Sequence, residues 1–160
     1  MTRRMARYAL LTALAMVLSW LESMVPVSAA APGVKLGMTN LVVIFALYRM
    51  ALRAAAAVSL ARVGLVSMTF GNAYSFAYSL AGAALSLAVM ALLRRTGRFS
   101  ILGVSVAGGV SHNIAQILVA VAALGTGRLA WYLPALLVSG VAAGVAIGAV
   151  GGVLTERIKI

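Results

Sequence analysis

Residues 100–124, SILGVSVAGGVSHNIAQILVAVAAL, contain no Asp, Glu, Lys or Arg, yet hold His112, Asn113 and Gln116 near their middle. At 1.5 Å of rise per residue, a run of this length forms a helix that crosses the roughly 30 Å of bilayer hydrocarbon. No period-two alternation interrupts it, so a strand reading fails. A charged side chain at the centre of such a helix costs about 2.5–3.5 kcal/mol by insertion scales. Polar groups that persist there face a cavity, a partner or a pathway.

Outward from this stretch the pattern repeats. Apolar spans are predicted at about 6–26, 36–50, 51–70, 74–93, 100–124 and 130–153, a six-helix, all-α bundle making one integral membrane domain over 1–160. The chain is 64% hydrophobic and 9% charged, with mean hydropathy +1.09. A soluble domain carries about 25% charged residues. The formal charge of +11 would point to nucleic acid in a soluble protein; here the basic residues are loop charges that set orientation, and no nucleic-acid partner is expected. With the N-terminus inside, Arg3, Arg4, Arg7, Arg49, Arg53, Arg94, Arg95, Arg98, Arg157 and Lys159 all fall on the cytoplasmic side. Lys35 and Arg128 fall outside, and Arg62 lies within a span. A multi-pass protein of the cell membrane with both termini cytoplasmic follows. A competing reading takes Arg3-Arg4, the apolar stretch after it and Val27-Ser28-Ala29-Ala30-Ala31 as a signal peptide; the bulky Trp20-to-Pro26 region before the cut argues against it.

The composition excludes much chemistry. There is no Cys and no Asp, and the carboxylates are Glu22 and Glu156. With a single His, a zinc site built from the chain is not expected, nor is a carboxylate-dependent catalytic set. No Gly-rich phosphate loop ending in Gly-Lys-Ser/Thr is present, so the chain is not itself an ATPase. No cofactor, no metal and no enzymatic activity are expected.

The polar groups at membrane depth are Glu22, Asn40, Arg62, His112, Asn113 and Gln116, in the middle or outer half of the bilayer. Gly108, His112 and Gln116 form one helix ridge, with Gly108 leaving space beside the imidazole. With Lys35 and Arg128 in the outer loops, the local balance is positive and favours an anionic ligand. Glu22 and Arg62 are either a buried ion pair fixing two helices or part of the site. Arg62 is the central candidate, because its guanidinium keeps its charge and its fork of donors suits carboxylate or phosphate oxygens. Gly140, Gly144, Gly148 and Gly152, spaced by four, allow close approach of a neighbouring helix, within the bundle or in a second copy. Tyr74, Phe76, Tyr78, Trp131 and Tyr132 form an outer interfacial belt or a stacking surface.

Several stretches together resemble a known family. They are Ala9-Leu10-Leu11-Thr12-Ala13-Leu14, Leu21-Glu22, Pro32-Gly33-Val34-Lys35-Leu36-Gly37 with Asn40, Arg62, Tyr78-Ser79-Leu80-Ala81-Gly82, and Ser105 through Asn113 with Gln116. The pattern resembles the Gx transporter family, often labelled heptaprenyl diphosphate synthase component I and similar to the substrate-binding S components of energy-coupling-factor vitamin transporters. The resemblance implies a subunit that captures a vitamin-like or isoprenoid-related small molecule from outside. It also implies work with a membrane coupling protein and two cytoplasmic ATPases, with Ala9 and Ala13 matching the ridge that docks the coupling protein. The alternative it implies is a membrane accessory subunit of a heptaprenyl diphosphate synthase. Prenyl-elongating enzymes are similar to one another in Asp-rich Mg²⁺ motifs, and this chain has no Asp.

Overall fold

The computed structural model describes residues 2–24 and 37–158, apart from the side chain of Phe70. Lys35, Lys159 and the signal-peptide-like residues 27–31 lie outside the described residues. The described chain is helical: α1 (Thr2–Met24), α2 (Met38–Arg49), α3 (Leu52–Phe70), α4 (Ala73–Thr96), α5 (Ile101–Leu124) and α6 (Leu133–Arg157), with a 3₁₀ turn at Gly127–Tyr132 before α6. Five segments are long and apolar enough to cross a membrane, and α2 is a shorter apolar helix. The protein is a multi-pass helical membrane protein.

Local signals set the helix ends. The Asn72 side chain accepts from Ser75 N at 2.8 Å and opens α4; Ser100 accepts from Gly103 N at 3.2 Å and opens α5. Gly97 closes α4 in the left-handed conformation that glycine adopts without a Cβ penalty. The turns are short, so consecutive long helices run antiparallel.

The basic residues collect at one end of the bundle: Arg3, Arg4 and Arg7 at the start of α1, Arg49 and Arg53 between α2 and α3, Arg94, Arg95 and Arg98 after α4, and Arg157 closing α6. Some of them hold the bundle together there. The Arg94 guanidinium donates to the carbonyls of Leu47 and, at 3.4 Å, Tyr48, and lies 5.0 Å from the Tyr48 ring centre. It thereby satisfies carbonyls that α2 leaves open at its C-terminus. Arg49 Nε donates to Ile158 O at 3.0 Å, linking α2 to the end of α6.

α2 is the central element, packed against α1, α3 and α6. Val42, Val43, Ile44, Phe45, Ala46 and Leu47 are consecutive and all buried, the pattern of a helix apolar on every side. The core gathers around them: Leu11 and Ala15 of α1, Ala55 and Val58 of α3, Met90 and Ala91 of α4, Val104 of α5 and Ile147 of α6. In α3 and α5 these residues belong to the starting turns, and in α4 to the last ones, so the apolar core fills the half of the bundle nearer the basic end.

α5 and α6 meet backbone to backbone. A Cβ on Gly140 would lie 3.0 Å from Gly109 O, one on Gly144 2.5 Å from Val106 Cα, and one on Gly148 2.7 Å from Leu102 Cα. The four-residue glycine ridge is thus an intramolecular packing surface along three of its members; Gly152 faces open space.

Candidate functional site

α2 begins deep inside the bundle. Gly37, which precedes it, packs against Ile147: a Cβ there would sit 3.3 Å from Ile147 Cδ1. Ile147 lies about 21 Å along α6 from Leu133 and about 15 Å from Arg157, at 1.5 Å per residue. The α2 N-terminus, with its unsatisfied N–H groups and positive dipole end, therefore opens near the middle of the membrane-spanning bundle. Gly37 adopts φ +68°, which a side chain would strain. No side chain of its own caps α2. Instead Glu22, in the last turn of α1, accepts a 2.5 Å hydrogen bond from Gly37 N.

Arg62 reaches the same turn from α3. Its Nη1 donates to Thr39 Oγ1 at 3.0 Å, and Thr39 is 3% exposed in the first turn of α2. The Arg62 Nε–H is buried and has no hydrogen-bond partner among the described residues. Glu22 is close enough for its charge to act on the guanidinium. The hydrogen bonds of the two residues nevertheless go elsewhere, Glu22 to Gly37 and Arg62 to Thr39. Asn40 follows Thr39 and is half-buried, with Nδ2 3.7 Å from where a Gly37 Cβ would be.

The helix registers place His112 at this level. Arg62 precedes Gly71 by nine residues, and Ala81 follows Asn72 by nine, so across this tight α3–α4 turn the two stand about level. The next residue, Gly82, meets the His112 ring: a Cβ there would lie 2.7 Å from Cε1, 2.9 Å from Nε2 and 3.0 Å from Nδ1. The glycine that admits the imidazole is Gly82, not Gly108. The space at Gly108 is filled by Met90, whose Cγ and Sδ would be 2.7 Å from an added Cβ, with Ser86 Oγ at 3.2 Å. The ridge reading assigned the void to the same helix, whereas the neighbouring helix supplies it.

The remaining candidates divide. Gln116, one turn beyond His112, is 2% exposed, and its Nε2 has no hydrogen-bond partner among the described residues. The α4–α5 spacing that sets Ser86 on Gly108 and Gly82 on His112 puts Tyr78 opposite Gln116. Asn113 turns the other way, toward α6: its Nδ2 donates to Leu136 O at 2.6 Å and approaches Ser139 Oγ at 3.5 Å. Lys35 lies outside the described residues. The structure thus brings Glu22, Asn40 and Arg62 to the α2 N-terminus, with His112 at about the same level and Gln116 one turn farther from the basic end, and sends Asn113 into a helix contact. Thr39, Gly82 and the Gly37 N–H were not among the sequence candidates. Gly82 and Gly37 stand in the stretches that carry the family resemblance but with no role attached to them, and Thr39 was signalled only by its place beside Asn40.

Among the described residues no group of three or more His, Cys, Asp or Glu side chains could hold a metal ion. What the arrangement offers chemically is an anion cradle of guanidinium N–H, hydroxyl and helix N-terminal N–H groups, partly answered by one carboxylate.

Comparisons with curated proteins and with solved structures give no match. A family model described as heptaprenyl diphosphate synthase component I matches residues 11–154. That match runs from the middle of α1 into the last turns of α6 and takes in every helix, so the chain belongs to the heptaprenyl diphosphate synthase component I family.

Proposed function

We propose that the protein is the membrane-embedded, S-component-like binding subunit of a small-molecule uptake system, not an enzyme. Its basic end faces the cytoplasm, as the positive-inside rule directs, and it takes an anionic ligand from the opposite side. The observation that carries this reading is Arg62. A charged guanidinium sits at the mid-bundle start of a helix with a donor unanswered among the described residues, above an apolar core that closes the basic half. Half-helix N-termini at the bilayer midplane serve anionic substrates in transporters. Arg62, Glu22, Asn40, His112 and Gln116 line the site, and Lys35 is a further expected contributor. Asn113 takes part by fixing α5 against α6.

The test is thermal stabilisation by small molecules that co-purify with the protein and are identified by mass spectrometry. Arg62→Gln or His112→Ala should weaken the response roughly ten- to a hundred-fold, since a hydrogen bond to a charged group is worth about 1.5–3 kcal/mol. Folded variants that respond like wild type place the site elsewhere.

The family description supports a second reading, an accessory subunit that holds a synthase partner at the membrane. Its physical basis is the basic end, where Arg53, Arg95, Arg98 and Arg157 are exposed and a depression of about 280 Å³ is lined by Leu47, Leu52, Ala91, Arg94 and Arg95. Prenyl-transfer activity of a soluble component that depends on this protein, and is lost when these arginines are neutralised, would favour it.

A further inference from the structure

We infer that Glu22 occupies the anion cradle as an internal stand-in for the ligand, and that the ligand is a carboxylate which displaces it. The inference rests on the binding reading above and names the chemical class the site takes. The Glu22 carboxylate sits on Gly37 N at 2.5 Å, at the N-terminus of a twelve-residue helix with no side-chain cap of its own. The guanidinium that would ordinarily pair with it is directed instead to Thr39 in the first turn of the same helix, and its Nε–H is buried without a partner among the described residues. One carboxylate therefore answers part of a donor set that could answer two oxygens more fully. An incoming carboxylate takes the place of Glu22 one charge for one charge, bridging the Gly37 N–H and the Arg62 fork in bidentate fashion. A phosphate dianion would bring a second negative charge into a layer that offers one guanidinium and one dipole end, and with Glu22 nearby it would be repelled. Once displaced, Glu22 lies in the last turn of α1, two residues before Met24, away from the apolar core. The exchange thus links ligand capture to release of α1 from the start of α2.

The test uses the full-length protein in detergent, with propionate as the carboxylate probe, propionamide as its neutral match and inorganic phosphate as the alternative anion. Glu22→Ala removes the stand-in. It should lower the thermal midpoint, and propionate should restore it where propionamide and phosphate do not. Propionate affinity should rise roughly tenfold over wild type, because the competing charge is gone. In a Trp131→Phe background Trp20, two residues before Glu22 on α1, is the sole indole, and its emission should shift when propionate binding releases α1 in the otherwise wild-type chain. If Glu22→Ala does not fold, Glu22→Gln, which removes the charge at unchanged side-chain length, must show the same gain in affinity. Propionate binding that needs Arg62 but is unchanged or weakened in the Glu22 variants overturns the stand-in while leaving the binding site in place. Preference for phosphate overturns the ligand class. Absence of any anion response in wild type, Glu22→Ala and Glu22→Gln alike overturns both this inference and the site.

Discussion

Gly82 is the residue through which the site is most open to test. All three of the ring distances at its imagined Cβ fall between 2.7 and 3.0 Å, so the imidazole of His112 cannot stay where it is once a methyl group is added. Gly82→Ala should cost about 1–3 kcal/mol by overpacking, read as a lower thermal midpoint. The cost should shrink when His112→Ala is added, because the second change removes the clashing partner; a coupling of about 0.5–3 kcal/mol is the expected scale for residues in contact. Additive effects would mean that the ring and the glycine do not touch. This pair also shows what a sequence conceals. Hydropathy makes His112 conspicuous, since one polar group stands out in an apolar run. The void beside it comes from another helix, and spacing along one helix cannot show which neighbour supplies it. Asn113 teaches the same lesson in reverse. It sits next to His112 and looks like a second site group, yet a helix turns consecutive residues about 100° apart, and its amide bonds Leu136 O.

At the scale of elements, the α5–α6 pair depends on missing side chains. Gly144→Ala would drive a Cβ to 2.5 Å from Val106 Cα, and a backbone atom cannot rotate away. The change should cost about 3 kcal/mol or more. Gly152→Ala, in the same four-residue series, meets nothing within 4 Å and should be neutral, or stabilising by up to about 1 kcal/mol through helix propensity. Thermal midpoints of the two variants, measured side by side, check the contrast. The series was legible in the sequence, but not its choice between an internal and an intermolecular partner. The other small-residue ridge behaves differently. Ala9 and Ala13 are exposed on α1, beside the exposed Leu10, Leu14 and Val17, so they are available to a membrane partner. Replacing both with Leu should leave the isolated protein folded and abolish co-purification with a coupling protein; a complex that survives the change assigns that surface elsewhere.

For the whole molecule, composition and charge carried most of the architecture. Six apolar runs became six helices, and most of the arginines collected at one end, with Arg62 inside the bundle and Arg128 in the turn before α6. What the sequence did not show was depth. Asn40 reads as lying in the outer third of a short second span, and the contact of Gly37 with Ile147, well inside α6, puts the start of α2 near the middle of the bundle. The expected orientation can be measured directly, since the chain has no cysteine and any introduced thiol is unique. Arg98→Cys, in the turn between α4 and α5, should resist a membrane-impermeant maleimide in intact cells and react in inside-out vesicles. Gly127→Cys, at the opposite end, should do the reverse. Labelling of both from one side would break the alternating topology.

The brevity of α2 bears on how the protein is made. Twelve residues rise about 18 Å, too little for a nascent segment to be retained in the bilayer on its own merits. Its buried run from Val42 to Leu47 meets other helices, not lipid. Membrane proteins assemble by inserting stable helices first and packing them afterwards. α2 belongs to the second stage: its partners are α1, α3 and α6, and α6 follows the other five helices along the chain. A nascent chain stalled before α6 lacks one of these partners and should leave α2, the helix that carries the cradle, exposed to quality-control proteases.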